Sequence, residues 1–305
     1  MTNSNRGPIV LAGGSGFLGR ALAQHLSALG HEIITLTRSP RSKPSVGRDV
    51  AWDARSAGDW HQSLDGAAAV INLVGKNIDC RHTDANLALI RSSRVDATRA
   101  IGEAIGAANT PPPLWIQGSA AGLYGDVRDH ESTEESAPGN TPLSEIAVDW
   151  EQAVPNETPG TRVCILRTGV VLGDSGALPV LAKLTRFGLG GSAGDGSQFM
   201  SWIHVADIVG IVDWFLATPT AAGAYNAVSP SPITNKAFMQ TLRKVLKRPW
   251  SPPAPAFALR LGATLMGTDP SLALDSMRCV PSRLLAEGYA FAHTDLESAL
   301  ADLLT

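Results

Sequence analysis

Three glycines carry the first chemistry. Gly13, Gly16 and Gly19 form a GxxGxxG run between a short apolar stretch and a helical pattern. The first glycine permits a tight turn out of a strand. The second lets the backbone approach a pyrophosphate, and the third lets the helix pack closely on the strand. A helix starting there offers free N–H groups and a partial positive charge to phosphates. The expected contacts are Gly13, Ser15, Gly16, Phe17, Leu18 and Gly19. About twenty residues after the loop, an NAD-selective site usually holds an acid for the ribose 2′-hydroxyl. Thr37 and Arg38 stand there instead. An acid would repel a 2′-phosphate, whereas Arg38 can pair with it and stack on adenine. Ser39, Arg41 and Ser42 offer further contacts. The cofactor this predicts is NADP(H).

The surrounding pattern supplies the elements that must hold such a loop. Residues 8–12 read as a buried strand, 20–29 as an amphipathic helix ended by Gly30, and 32–37 as a second strand. Strands follow at 49–52, 68–74, 114–117 and 162–167. Between them lie helices at 87–108, stopped by three prolines, and at 147–154. Residues 173–201 are rich in glycine. The pattern returns to helix at 202–215 and to strand at 224–228, and from Pro230 it is mostly helical. The fold class is α/β: a doubly wound parallel Rossmann sheet with a smaller C-terminal cap. The sheet domain is assigned to residues 1–173 with a return at about 202–229. The cap takes 174–201 and 230–305.

Composition excludes other classes. The chain has 305 residues, with 44% hydrophobic, 17% charged and a formal charge of -3. That is the balance of a globular protein, without the basic stripe that nucleic acid or an anionic membrane would select. Cys80, Cys164 and Cys279 have neither disulfide nor zinc-knuckle spacing, and the histidines show no metal pair, so no metal is expected. The first few residues read as a loose tail, with no signal peptide and no membrane span anywhere, and the expected location is cytoplasmic.

Taken together, several segments resemble the extended short-chain dehydrogenase/reductase superfamily. The closer likeness is to its atypical epimerase-like branch, the epimerase family proteins, also called SulA-like. The segments are GGSGFLG at 13–19, NLVG at 72–75, IRSSRV at 90–95 and GSAAGLYGD at 118–126. Trp150-Glu151, RTGVVL at 167–172 and SWIHVAD at 201–207 complete the set. The likeness covers nearly the whole chain. It adds Leu73, Val74, Gly75 and Ser93 to the cofactor side, and Ser119 to both cofactor and catalysis.

The superfamily's usual chemistry needs a serine and a YxxxK pair, the tyrosine moving a proton and the lysine lowering its pKa. The pair is absent. Four residues after Tyr124, Tyr225 and Tyr289 stand Arg128, Ser229 and His293, and the usual positions fall on Leu143 and Ala147. Ser119 is the candidate for polarising a substrate oxygen. Tyr124 either faces the cleft as a replacement acid or packs in its turn. Glu145 is either an acid or part of a solvated helix face. Lys76, Asn77 and Arg94 either meet a polar substrate or are surface charges. His204 is expected to join insert and sheet, and the glycines of 188–198 to form a mobile lid. Two functions fit: an NADP(H)-dependent oxidoreductase or epimerase-like enzyme with an unknown small-molecule substrate, or a non-catalytic NADPH-binding regulator. A homodimer through helices 87–108 and 143–154 is an open option.

Overall fold

The computed structural model describes residues 7–305, apart from the side chains of residues 264–266. The loose N-terminal tail expected for the first residues lies outside the described residues. Seven parallel strands form the central sheet: β1 (Ile9–Ala12), β2 (Ile33–Thr37), β3 (Arg48–Ala51), β4 (Ala69–Asn72), β5 (Leu114–Ala120), β6 (Arg162–Thr168) and, much later in the chain, β10 (Gly223–Ala227). Their order is β10-β6-β5-β4-β1-β2-β3. The order reverses between β1 and β4, and ligands of such sheets gather beside that point at the carboxyl ends of the strands.

Side-chain alternation builds two cores from one sheet. Ile9 and Leu11 of β1 pack with Leu22 and Leu26 of α1 (Phe17–Ala28) and with Ile208, Val212 and Phe215 of α5 (Val205–Ala217). Val10 and Ala12 face the other way. They meet Ile101 and Ile105 of α2 (Asp84–Ala107), with Trp52, Trp60 and Trp115. Near-continuous apolar strands covered by helices on both sides are the signature of a doubly wound sheet, so the expected fold class is borne out.

The chain after β6 is more woven than the sequence suggests. Within the glycine-rich stretch lies a ten-residue helix, α4 (Ala177–Arg186). Residues 202–204 are not helical but form strand β9 (Trp202–His204), paired with β7 (Val170–Leu172). β8 (Phe199–Met200) runs antiparallel to β11 (Ile233–Thr234). Leu178 of α4, Phe238 and Leu242 of α6 (Asn235–Val245), and Leu300 of the C-terminal helix (Leu296–Leu304) form a third core. The segment expected to be a mobile lid is pinned. Ala254 N donates to Ser192 O and Asn235 N to Gln198 O. Gln198 Nε2 donates to the carbonyls of Ala193 and Ala273. The glycines serve close packing: a Cβ at Gly191 would stand 1.8 Å from Pro252 O.

Candidate functional site

Register brings the candidate residues to one edge. Ala12 at the end of β1 lies level with Leu36 of β2 and Asn72 of β4, and Asn72 with Gln117 of β5. The glycine turn, Thr37 and the NLVG turn therefore stand side by side.

The glycines of the turn are not equivalent. Gly13 has φ +83, and a Cβ there would lie 2.9 Å from the Leu73 carbonyl carbon. A Cβ on Gly19 would come within 2.5 Å of Gly13 O. Those two are demanded by the protein's own packing. Gly16 is different. Its backbone is extended (φ -74, ψ 177) and it precedes α1 as an N-cap with no side-chain hydrogen bond. A Cβ on it would touch only Gly13 O, at an ordinary 3.4 Å. Nothing inside the protein requires a glycine at this exposed point. Its bare backbone leaves the first-turn N–H groups of Phe17 and Leu18 open to an external anion. Ser15 is held by Arg20, whose Nη1 donates to Ser15 O at 2.9 Å. The arrangement fits a dinucleotide pyrophosphate.

At the end of β2, Thr37 is half-buried and Arg38 exposed, and among the described residues no ion pair engages Arg38. Arg41 already has a carboxylate partner. Its guanidinium donates twice to Asp49, Nε at 2.8 Å and Nη2 at 3.0 Å, which raises its pKa and lowers that of Asp49.

The NLVG turn is fixed from below. The buried Asn72 amide donates to Gln117 Oε1 (3.0 Å) and Thr98 Oγ1 (3.2 Å) and accepts from Val74 N (3.1 Å). Leu73 and Val74 are thereby held against Gly13. Ser93, expected on the cofactor side, accepts from Lys76 N at 2.9 Å and donates to Ile90 O at 2.9 Å. Both roles of its hydroxyl are engaged, so it shapes the turn rather than reaching into the cleft.

The two expected catalytic side chains point inward. Ser119 is 6% exposed and donates to Glu151 Oε1 at 2.6 Å. Arg167, level with Ser119 on β6, grips the same carboxylate through Nε (2.9 Å) and Nη2 (2.8 Å). Arg167 Nη1 then donates to Tyr124 Oη at 2.9 Å, and Tyr124 donates to Asn226 Oδ1 at 2.8 Å. This is one largely buried, mutually satisfied network of the kind that fixes a core. Tyr124 is 3% exposed, and burial, partly offset by Arg167, pushes its pKa up to about 12. Of the two places open to it, Tyr124 takes the packed one, and Ser119 does not present a free hydroxyl to the cleft. Leu143 and Ala147 of α3 (Pro142–Gln152) supply only aliphatic surface. Glu145 is exposed and lies 3.6 Å from Arg91. The sequence named Trp150-Glu151 and Arg167 as motif residues without their role. The signal was a glutamate one helical turn past Ala147 and an arginine following the apolar run VCIL of β6.

His204, His293 and Asp302 lie close enough to suggest a metal site. The tautomer argues otherwise. His204 Nδ1 accepts from Ala206 N at 3.1 Å, capping α5. A neutral ring then carries its proton on Nε2, which faces Asp302 Oδ2 at 3.3 Å and has no lone pair for a metal. His293 stacks on the ring at 3.8 Å, and Asp207 accepts from the N–H groups of Ala292 and His293. His204 thus joins α5 to the C-terminal segment.

A glycine-built anion turn at the switch point of a parallel sheet defines a dinucleotide-binding α/β protein. The chain belongs to the NAD dependent epimerase/dehydratase family, whose profile matches residues 9–228. Residues 254–303 match a domain of unknown function, DUF1731. The chain is 34% identical over 299 residues to the epimerase family protein YfhF of Bacillus subtilis, covering 97% of each. It is 33% identical to human epimerase family protein SDR39U1, covering 97% of this chain and 99% of that one. The crystal structure of human SDR39U1 (isoform 2) with NADPH superposes with a TM-score of 0.87 at 32% identity, over 97% of this chain and 98% of that chain. Among the described residues, no helix is long and apolar enough to cross a membrane.

Proposed function

We propose that this protein binds NADP(H) along the carboxyl edge of its sheet and exchanges hydride with a small molecule held under the cap, as an oxidoreductase or epimerase-like enzyme. The observation that carries the binding half is Gly16, a glycine the fold does not need and a pyrophosphate does. SDR39U1, crystallised with NADPH, supports the same ligand. The 2′-phosphate is assigned to Thr37 and Arg38, and the pyrophosphate to the backbone of Gly13, Ser15, Gly16, Phe17, Leu18 and Gly19. Leu73, Val74 and Gly75 form the floor beyond them.

When bound, the nicotinamide supplies the hydride. The chain's own part is to place it and to move a proton, and neither Ser119 nor Tyr124 is free to do the latter.

A second reading is favoured by the inward-turned network: occupancy by NADPH is itself the output, read by a partner. One experiment separates the two. Purified protein is mixed with NADPH and a fractionated metabolite extract, with a Gly16→Asp variant as control. NADPH consumption that needs the intact loop supports the enzyme. Tight binding with neither NADPH consumption nor isomerisation of any metabolite in any fraction overturns it in favour of the sensor.

A further inference from the structure

Arg94 on α2 is a cation without a counter-charge among the described residues. Its guanidinium lies over the Trp150 ring, 4.9 Å from the centroid. Nη1 donates to Lys76 O (3.0 Å) and Ile90 O (3.1 Å), both neutral carbonyls. No carboxylate pairs with it among the described residues, and burial alone pulls its pKa down to about 10. Holding a charge in that state is unfavourable unless something else supplies the partner.

Its position says what. Gly75 is exposed, and a Cβ on it would stand 2.8 Å from Arg94 Cζ and 2.9 Å from Nη2. Only a glycine leaves the guanidinium uncovered there. Gly75 directly follows Leu73 and Val74, which touch Gly13 of the anion turn. On the sheet, β2 lies to one side of β1 and β4 then β5 to the other. A dinucleotide with its adenosine at Thr37 and Arg38 and its pyrophosphate at Gly16 must continue over Gly75 towards β5. There it meets the Arg94 guanidinium.

We infer that Arg94 anchors the nicotinamide-side half of the dinucleotide, its free guanidinium edge donating to the phosphate and ribose oxygens that pass over Gly75. The inference rests on the NADP(H) reading above. An arginine suits the task because its planar fork stays charged when desolvated and can donate to two oxygens while stacked on an indole. Gly75 and Trp150 are then positioning residues, one opening the approach and the other holding the plane.

The test compares two ligands. NADPH spans the whole proposed track, whereas adenosine 2′,5′-bisphosphate stops before Gly75. Dissociation constants are measured for both with wild type, Arg94→Met, Arg94→Lys and Gly75→Ala, alongside unliganded melting temperatures. NADPH should bind roughly ten- to a hundredfold more weakly to Arg94→Met, as for loss of charged hydrogen bonds. The bisphosphate should be unaffected, Arg94→Lys should be intermediate, and Gly75→Ala should follow Arg94→Met. Unchanged NADPH binding in Arg94→Met overturns the inference. So does an equal loss for both ligands, which would make Arg94 a brace for the Lys76 and Ile90 carbonyls. If Arg94→Met does not fold, Gly75→Ala decides by the same ligand comparison. Wild type that binds neither ligand removes the NADP(H) reading instead.

Discussion

The β1–β2 side of the carboxyl edge and the β5–β6 side are built on opposite plans. Around β1, the backbone faces outward: Gly16 is bare, the start of α1 has no side-chain cap, and Arg38 makes no ion pair among the described residues. Around β5 and β6, polar side chains face one another, from Ser119 through Glu151 and Arg167 to Tyr124 and Asn226. The first side is prepared for a ligand and the second is satisfied without one. A polar residue at the end of a parallel strand is thus no guide to catalysis until its partners are known.

The contrast can be broken most forcefully at Glu151. Glu151→Ala leaves Arg167 buried without its carboxylate and should cost about 3–5 kcal/mol of stability, read by urea unfolding. A loss well below that would mean the network is not a structural unit. On the other side, Gly16→Asp should weaken NADPH binding by about a hundredfold or more, through bulk and like charge at the helix start. Its melting temperature should hold, because the added Cβ clears the protein. Gly19→Ala reverses the pattern and should lower stability first, since its Cβ meets Gly13 O at 2.5 Å.

Titration sharpens the comparison next. Burial raises the pKa of all three tyrosines, Tyr124 and Tyr225 to about 12 and Tyr289 as well. The unfolded value is about 10. A group raised on folding contributes stability below its unfolded pKa and loses it as pH rises through the folded value. Spectrophotometric titration of the native protein should therefore show little phenolate at pH 10, with stability falling between about 10 and 12. A tyrosine ionising well below 10 would restore a catalytic candidate. Arg38→Ala should weaken NADPH by about tenfold and leave NADH unchanged, measured by direct binding. The smallest effect is expected from Ser119→Ala: about 1 kcal/mol of stability for one hydrogen bond, with cofactor affinity unaltered. Loss of turnover without loss of stability in that variant would return Ser119 to the chemistry.

The sequence was informative where function depends on backbone. The turn from β1 into α1 is read from spacing because only glycine meets those contacts, and strand runs apolar on both faces declared the parallel sheet. The start of α1 at Phe17 rather than residue 20, and the strand at Trp202–His204, are not legible in local periodicity. Capping at Gly16 and pairing with β7 are tertiary facts that override local periodicity. Local sequence gives the glycine-rich stretch the look of a mobile segment. Its glycines instead admit neighbouring backbone, as at Gly191 against Pro252. The network around Ser119 and Tyr124 is not legible locally for a related reason: the partners that engage them come from α3, β6 and β10, far off in sequence.

Strand β10 has a consequence for how the chain is made. It closes the sheet beside β6, yet it is synthesised only after α4, β8, β9 and α5 have emerged. On the ribosome, six strands can be in place while the far edge of β6 still shows its unpaired N–H and C=O groups. Such an edge is a template for any other extended chain nearby. The interval before β10 arrives is therefore the period of greatest exposure to aggregation. Substitutions in the cap that delay delivery of β10 should reduce the yield of soluble protein before they alter the stability of the finished fold.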